Sequence, residues 1–186
     1  MSLPLVLASK SPRRSEILTN AGIPFVVRIA DVEEIRCEDE DPESYVKRLA
    51  ESKARAVRAS AGEVVLGADT VVVLDDHVLE KPADADDAAR MLRLLSGREH
   101  SVITGICLRS GAREIVETER TGVRFSPLSD EEIRAYVASG EPMDKAGAYA
   151  IQGLGSKFVE AVNGCYFNVV GLPVARVYRC LKQVES

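Results

Sequence analysis

The sequence predicts an α/β protein, and three observations carry that reading. Short apolar runs alternate with longer segments of helical periodicity along the chain. Capping residues stand where those helices should begin, and glycines where they should stop. The 186 residues are 46% apolar and 28% charged. A chain of that size can bury roughly 70% of its unfolded surface, enough for a core without disulfides or a structural metal.

Residues 5–8 read as a buried strand. Met1 to Ala8 lacks the basic start of a signal peptide, and Pro4 interrupts its apolar stretch. Ser11-Pro12 then caps and opens a helix that Gly22 ends. Residues 25–30 read as a second strand, followed by an acidic stretch over 31–41. Asp41-Pro42 opens an amphipathic helix over 42–60, with Tyr45, Leu49, Ser52 or Lys53, and Ala56 at helical spacing. Residues 64–66 and 71–74 form one apolar strand pattern, broken by the small residues of Gly67-Ala68-Asp69-Thr70. A turn at Asp75-Asp76 follows, and Asp84 caps a helix to about Ser96. Residues 102–108 and 115–125 are strand-like around a turn at Ser110-Gly111. Ser129 and Glu132 fit a capping box for a helix to Ser139. Residues 140–156, with Gly140, Gly147, Gly153 and Gly155, read as a long functional loop. Asn163-Gly164 between residues 157–162 and 165–170 signals a hairpin, and Leu172-Pro173 starts a terminal helix.

Composition narrows the function. A net charge of −5 and the absence of Trp disfavour a nucleic-acid-binding module, which needs an extended basic or aromatic surface. No stretch approaches the ~20 apolar residues that span a bilayer. Cys37, Cys107, Cys165 and Cys180 lie far apart, without C-x-x-C spacing or nearby histidines, as expected of a reduced, cytoplasmic chain.

Several constellations could carry chemistry. Ser9-Lys10-Ser11-Pro12-Arg13-Arg14 places two guanidinium groups at a helix start. Cations there are unfavourable by about 0.3–1 kcal/mol, which points to an external anion such as phosphate. Asp69 lies in an apolar strand, so its carboxylate must meet a cation, a metal or strong donors; a structural salt bridge is the alternative. Glu33-Glu34 follows a strand end and suits Mg²⁺ or Mn²⁺, while the other acids of that stretch read as solvated loop. Lys53 and Lys81 are further cations, each ordinary on its own; His77 and His100 lack ligand or triad spacing. Gly153-Leu154-Gly155-Ser156-Lys157 is not a Walker A loop, and no G-x-G-x-x-G follows the first strand.

Seven ordered blocks together resemble the Maf family of nucleotide pyrophosphatases. They are residues 7–14, residues 49–54, Gly67-Ala68-Asp69-Thr70, Glu80-Lys81-Pro82, Leu95-Ser96-Gly97, residues 141–149 with Ile151-Gln152-Gly153, and Val170-Gly171-Leu172-Pro173. The resemblance covers nearly the whole chain as a single domain, 1–186. It implies an elongated mixed sheet flanked by helices, two lobes and a central cleft, shared with the inosine-triphosphate pyrophosphatase type of fold. It implies hydrolysis of nucleoside triphosphates to monophosphate and pyrophosphate with a divalent metal, Mg²⁺ or Mn²⁺, by a cytoplasmic homodimer. The family's carboxylates fall on Asp69 and on Glu34, with Glu33 open as the alternative; both would hold the metal. Its substrate-binding positions fall on Ser9, Arg13, Arg14, Lys53, Thr70, Lys81 and Gln152. Arg13, Thr70 and Gln152 resemble the members that act on dTTP and UTP. The 7-methyl-GTP type instead has Trp after Ser-Pro, Gln after the Asp and Glu for the glutamine. The family's name is also tied to inhibition of septum formation, so a nucleotide-binding regulator without essential catalysis is the competing expectation.

Overall fold

A computed structural model describes residues 4–29, 31–75 and 77–185; Ala30 and Asp76, which the expected second strand and the turn at 75–76 include, lie outside the described residues. Its strands are β1 (Leu5–Leu7), β2 (Phe25–Val27), β3 (Val64–Leu74), β4 (His77–Leu79), β5 (Glu99–Ser110), β6 (Arg113–Phe125) and β7 (Val159–Asn163). Its helices are α1 (Pro12–Asn20), α2 (Pro42–Ala56), α3 (Ala85–Leu95), α4 (Asp130–Ala138), α5 (Tyr166–Val170) and α6 (Val174–Glu185). Hydrogen-bonded neighbours run β2-β1-β3-β5-β6-β7, with β4 also on β3. β1 is parallel to β2 and β3, whereas β4 and β7 are antiparallel to β3 and β6. The expected mixed α/β sheet is therefore present. Among the described residues no helix is long and apolar enough to cross a membrane.

The chain divides into two compact units, and β3, β5 and β6 contribute to both. The first unit holds the described residues up to Thr70, Thr104–Glu119 and those from Gly171 onward. Its core includes Val6, Ala8, Ala50, Ala54, Val57, Val65 and Cys107. Helix α2 starts where Asp41 accepts hydrogen bonds from the backbone of Glu43 and Ser44 at 3.0 and 3.1 Å, with Pro42 next. It ends at Ala56 rather than 60, because Val57 turns extended and is buried in the core. Two glycines let its backbone lie directly on the sheet. A Cβ on Gly67 would stand 2.1 Å from the Ala50 carbonyl oxygen, and one on Gly105 would stand 2.3 Å from that of Val46. Contrary to the break expected from the sequence, Gly67 and its small neighbours do not interrupt β3; the strand is continuous over Val64–Leu74, and Gly67 makes room for α2.

The second unit comprises Val71–Ile103 and Arg120–Val170. Asp84 caps α3 by accepting from Asp87 N at 2.8 Å, and Ser129 and Glu132 form the expected capping box on α4. Met91, Leu92 and Leu95 of α3 and Ile133 and Tyr136 of α4 are buried. Tyr149, Phe125, Phe158 and Tyr136 pack in a row, edge-on at Tyr149–Phe125 and Phe158–Tyr136 and tilted at Phe125–Phe158, with His100 against Phe125 and Tyr149.

The expected hairpin at Asn163-Gly164 does not form. β7 pairs with β6, Val123 opposite Val162, and residues 166–170 are helical. Only Gly164 of the pair has positive φ, where the tight hairpin turn needs both residues there. Thr121 Oγ1 on β6 instead accepts from Cys165 N and Asn168 Nδ2 at 3.1 and 3.0 Å, turning the chain into α5. The long loop at 140–156 is three short 3₁₀ segments, and β4 has no counterpart in the sequence reading.

His100 is 3% exposed; Nε2 lies 2.9 Å from Tyr149 Oη and Nδ1 has no partner. Burial pushes its pKa down to about 4. The unfolded chain, with a histidine pKa of about 6.5, binds the proton first as pH falls. Stability supplied by neutral His100 is complete above pH ~6.5 and declines to pH ~4, by at most about 1.4 kcal/mol per unit. Urea midpoints between pH 7 and 4.5 should show this slope in the native protein and lose most of it in His100→Gln; an unchanged slope would assign the acid sensitivity elsewhere.

Candidate active site

The seating of α2 on β3 brings Lys53 to Asp69. Lys53 Nζ lies 2.6 Å from Asp69 Oδ1 and 2.6 Å from Glu34 Oε1, so one ammonium is shared by two carboxylates. Lys53 and Asp69 are 8% and 7% exposed, while the Glu34 side chain is 41% exposed. Burial pushes the Asp69 carboxyl pKa up; the charge and hydrogen bond of Lys53 and the charge of Arg14 oppose it, and Glu34 reinforces it. The required partner for a carboxylate in an apolar strand is thus Lys53.

Glu34, rather than Glu33, reaches the lysine. Its loop is tied to α2 because Tyr45 Oη donates to the Glu34 carbonyl at 3.3 Å and Arg48 Nη2 to that of Ile35 at 2.9 Å. Arg48 also pairs with Glu40 at 2.7 Å. Glu33 is exposed.

The basic turn separates into two roles. Arg14 is 8% exposed and points inward, donating to the carbonyls of Gly171 (2.9 Å) and Ala68 (2.8 Å), and to Ser9 Oγ and Thr70 Oγ1 (3.1 Å each). Burial lowers its pKa, opposed by the charges of Asp69 and Glu34. Arg13 is partly exposed in the first turn of α1, which contains no acidic residue. Ser9 Oγ accepts from both Arg14 and Ser11 N, so its lone pairs are engaged and its O–H is left to donate. Thr70 Oγ1 also lies 2.9 Å from Thr104 Oγ1, which places it in a brace with Arg14.

Asp69, Glu34, Lys53, Arg14, Ser9 and Thr70 thus come together in the first unit. Lys81 and Gln152 belong to the second, and both are exposed. There the loop of Lys81 joins the 141–155 segment, since Gly147 N donates to the Glu80 carbonyl at 3.1 Å. Sequence reasoning missed Thr104 as a bracing residue. Its signal was a hydroxyl inside the apolar run Val102-Ile103-Thr104, which has to find a partner when buried.

Over residues 4–184 the chain matches the family described as Maf-like protein. It belongs to the Maf family. A dTTP/UTP pyrophosphatase of Koribacter versatilis (strain Ellin345) is 56% identical to it over 184 residues, covering 98% of this chain and 95% of that protein. A dTTP/UTP pyrophosphatase of Symbiobacterium thermophilum is 53% identical over 180 residues, covering 96% and 93%. The solved Ham1 protein of Staphylococcus aureus shares the fold at 13% identity, with a TM-score of 0.52 over 98% of this chain and 100% of its own. The HAM1 protein of Coxiella burnetii does so at 16% and 0.52, over 97% and 99%.

In this Maf family member, Arg14 makes several bonds that a lysine cannot reproduce from a single nitrogen. Arg14→Lys should lower stability by about 2 kcal/mol or more, read as a fall in the urea midpoint. A midpoint within error of the native one would show that the inward bonds contribute little.

Proposed function

We propose that the chain hydrolyses nucleoside triphosphates, dTTP and UTP foremost, to nucleoside monophosphate and pyrophosphate. The observation that carries this reading is the buried Asp69 carboxylate, held with Glu34 on Lys53 in the same unit as the basic turn. The nearly full-length likeness to proteins named dTTP/UTP pyrophosphatase supports the substrate.

Asp69 and Glu34 would hold the divalent cation. Two hard oxygen donors fit Mg²⁺ or Mn²⁺, which keep several waters and share the rest of their shell with substrate phosphates. Among the described residues no group of three acidic, histidine or cysteine side chains gathers as a fuller cage. When bound, the cation lowers the pKa of water and polarises the phosphoryl oxygen. Asp69 takes the proton of the attacking water as its oxygen bonds to the α-phosphorus. The bond from that phosphorus to the bridging oxygen breaks, and the electron pair leaves with pyrophosphate.

The other residues position and neutralise. The Ser9 hydroxyl donates to a phosphate oxygen, and Arg13, Lys53 and Lys81 balance the charge growing on the leaving group. Arg14 and Thr70 hold Ser9 and the middle of β3 in register for that contact. Gln152 offers one donor and one acceptor, matching the N3–H and O4 edge common to thymine and uracil. A pocket that leaves polar groups unpaired against other bases discriminates by large factors.

Asp69→Asn keeps the shape and loses the charge and the proton acceptor. It should lower dTTP turnover at least ~10²-fold in a protein that still folds, followed as pyrophosphate release with Mg²⁺ or Mn²⁺ present. Native-like turnover would remove Asp69 from the mechanism. The same assay over dTTP, UTP, CTP, GTP, ATP and 7-methyl-GTP should rank the first two highest. Nucleotide binding without pyrophosphate release would favour the regulator instead.

A further inference from the structure

Gln152 stands at the tip of a β-turn closed by Gly153 N donating to the Ala150 carbonyl at 3.3 Å. Before it, Tyr149, Ala150 and Ile151 are buried, whereas Gln152 itself is exposed. An isolated turn of this kind holds its tip loosely. Here both of its ends run to one carboxylate. After the turn, Leu154 N donates to Glu141 Oε2 at 3.0 Å and Gly155 N to Glu141 Oε1 at 3.1 Å. Before it, Ala150 N donates to Tyr136 Oη at 3.1 Å, and that hydroxyl donates to Glu141 Oε1 at 2.7 Å.

The clamp is itself fixed. Tyr136 is 2% exposed, on α4, edge-on to Phe158. Glu141 N donates to Ser139 Oγ at 3.2 Å, and Lys145 Nζ donates to the Glu141 carbonyl at 2.6 Å. Gly153 passes so close that a Cβ on it would stand 2.2 Å from Glu141 Oε2. A glutamine at 141 would present an NH₂ to backbone N–H groups, and a neutral oxygen accepts more weakly than a carboxylate.

We propose that Glu141 is a specificity-positioning residue: through Tyr136 Oη and the amides of Leu154 and Gly155 it fixes the turn that presents Gln152 to the pyrimidine base. This rests on the reading of Gln152 as the base-contacting residue. Glu141 touches no substrate and acts through the turn. Loosening it costs selectivity, because a mobile amide can rotate to satisfy the wrong edge of another base.

The test uses the full chain as Glu141→Gln, Gly153→Ala and Gln152→Ala. Gly153→Ala retains the carboxylate and displaces it, so it reports on the clamp where Glu141→Gln fails to fold. Amide hydrogen exchange at Leu154 and Gly155 is read beside kcat/KM for dTTP, UTP, CTP and GTP. In Glu141→Gln and Gly153→Ala, exchange at the two amides should speed up at least ~10-fold while that of α2 is unchanged. The dTTP-to-CTP ratio should fall ~10-fold, mainly through a higher KM for dTTP. Gln152→Ala should lose the same ratio with exchange unchanged. Unchanged exchange in both clamp variants overturns the clamp. Faster exchange with full discrimination overturns its role in specificity, provided that Gln152→Ala does lose discrimination. If Gln152→Ala keeps it, the base-contact reading fails, and the positioning proposal with it.

Discussion

Everything at the carboxylate site depends on how closely α2 lies on the sheet. Helices usually stand off a sheet by the length of their side chains, but Gly67 and Gly105 remove that spacing under Ala50 and Val46. A lysine one turn further along α2 then reaches Asp69 at 2.6 Å while itself buried. Taking two charges out of water costs several kcal/mol per ion unless geometry and further bonds repay it. Here Glu34 and the charge of Arg14 complete the set. Packing and electrostatics are one constraint: a bulkier residue at 67 would push on Ala50 and Ala54 of the core and on the helix that carries Lys53.

The two units hold their candidate site side chains by different means. In the first, Lys53 meets the carboxylates of Asp69 and Glu34, and Arg14 meets the carbonyls of Ala68 and Gly171, so the fixed groups are themselves charged. In the second, an aromatic layer includes Tyr136, whose hydroxyl passes the rigidity of α4 to a surface turn. Both arrangements leave no slack at the polar atoms that matter.

Local chemistry was legible in the sequence and distant pairing was not. Asp41-Pro42, Asp84 and the Ser129–Glu132 box act within one helical turn, so residue order alone places α2, α3 and α4. Asp69 stood out because an ionised group in an apolar strand demands a partner, although its strand could not say that the partner was Lys53. The two candidate glutamates are adjacent, and that Glu34 is the one lying on Lys53 goes with bonds from Tyr45 and Arg48 to its loop, which residue order does not reveal. Asn163-Gly164 misled because Thr121, more than forty residues earlier, captures the chain beyond it. Arg14 read like Arg13 because nothing nearby reveals that four acceptors, one of them at Gly171, await it.

That bond to Gly171 has a bearing on biosynthesis. Synthesis on the ribosome runs from the N-terminus, so β1, α1, α2 and β3 emerge long before residue 171. Until then the guanidinium of Arg14 lacks one of its carbonyl acceptors, and the first unit lacks α6. A chain that stops short of residue 171 therefore carries the ionic groups with one of the acceptors of Arg14 missing. The first unit is complete only when the segment from residue 171 onward has been made.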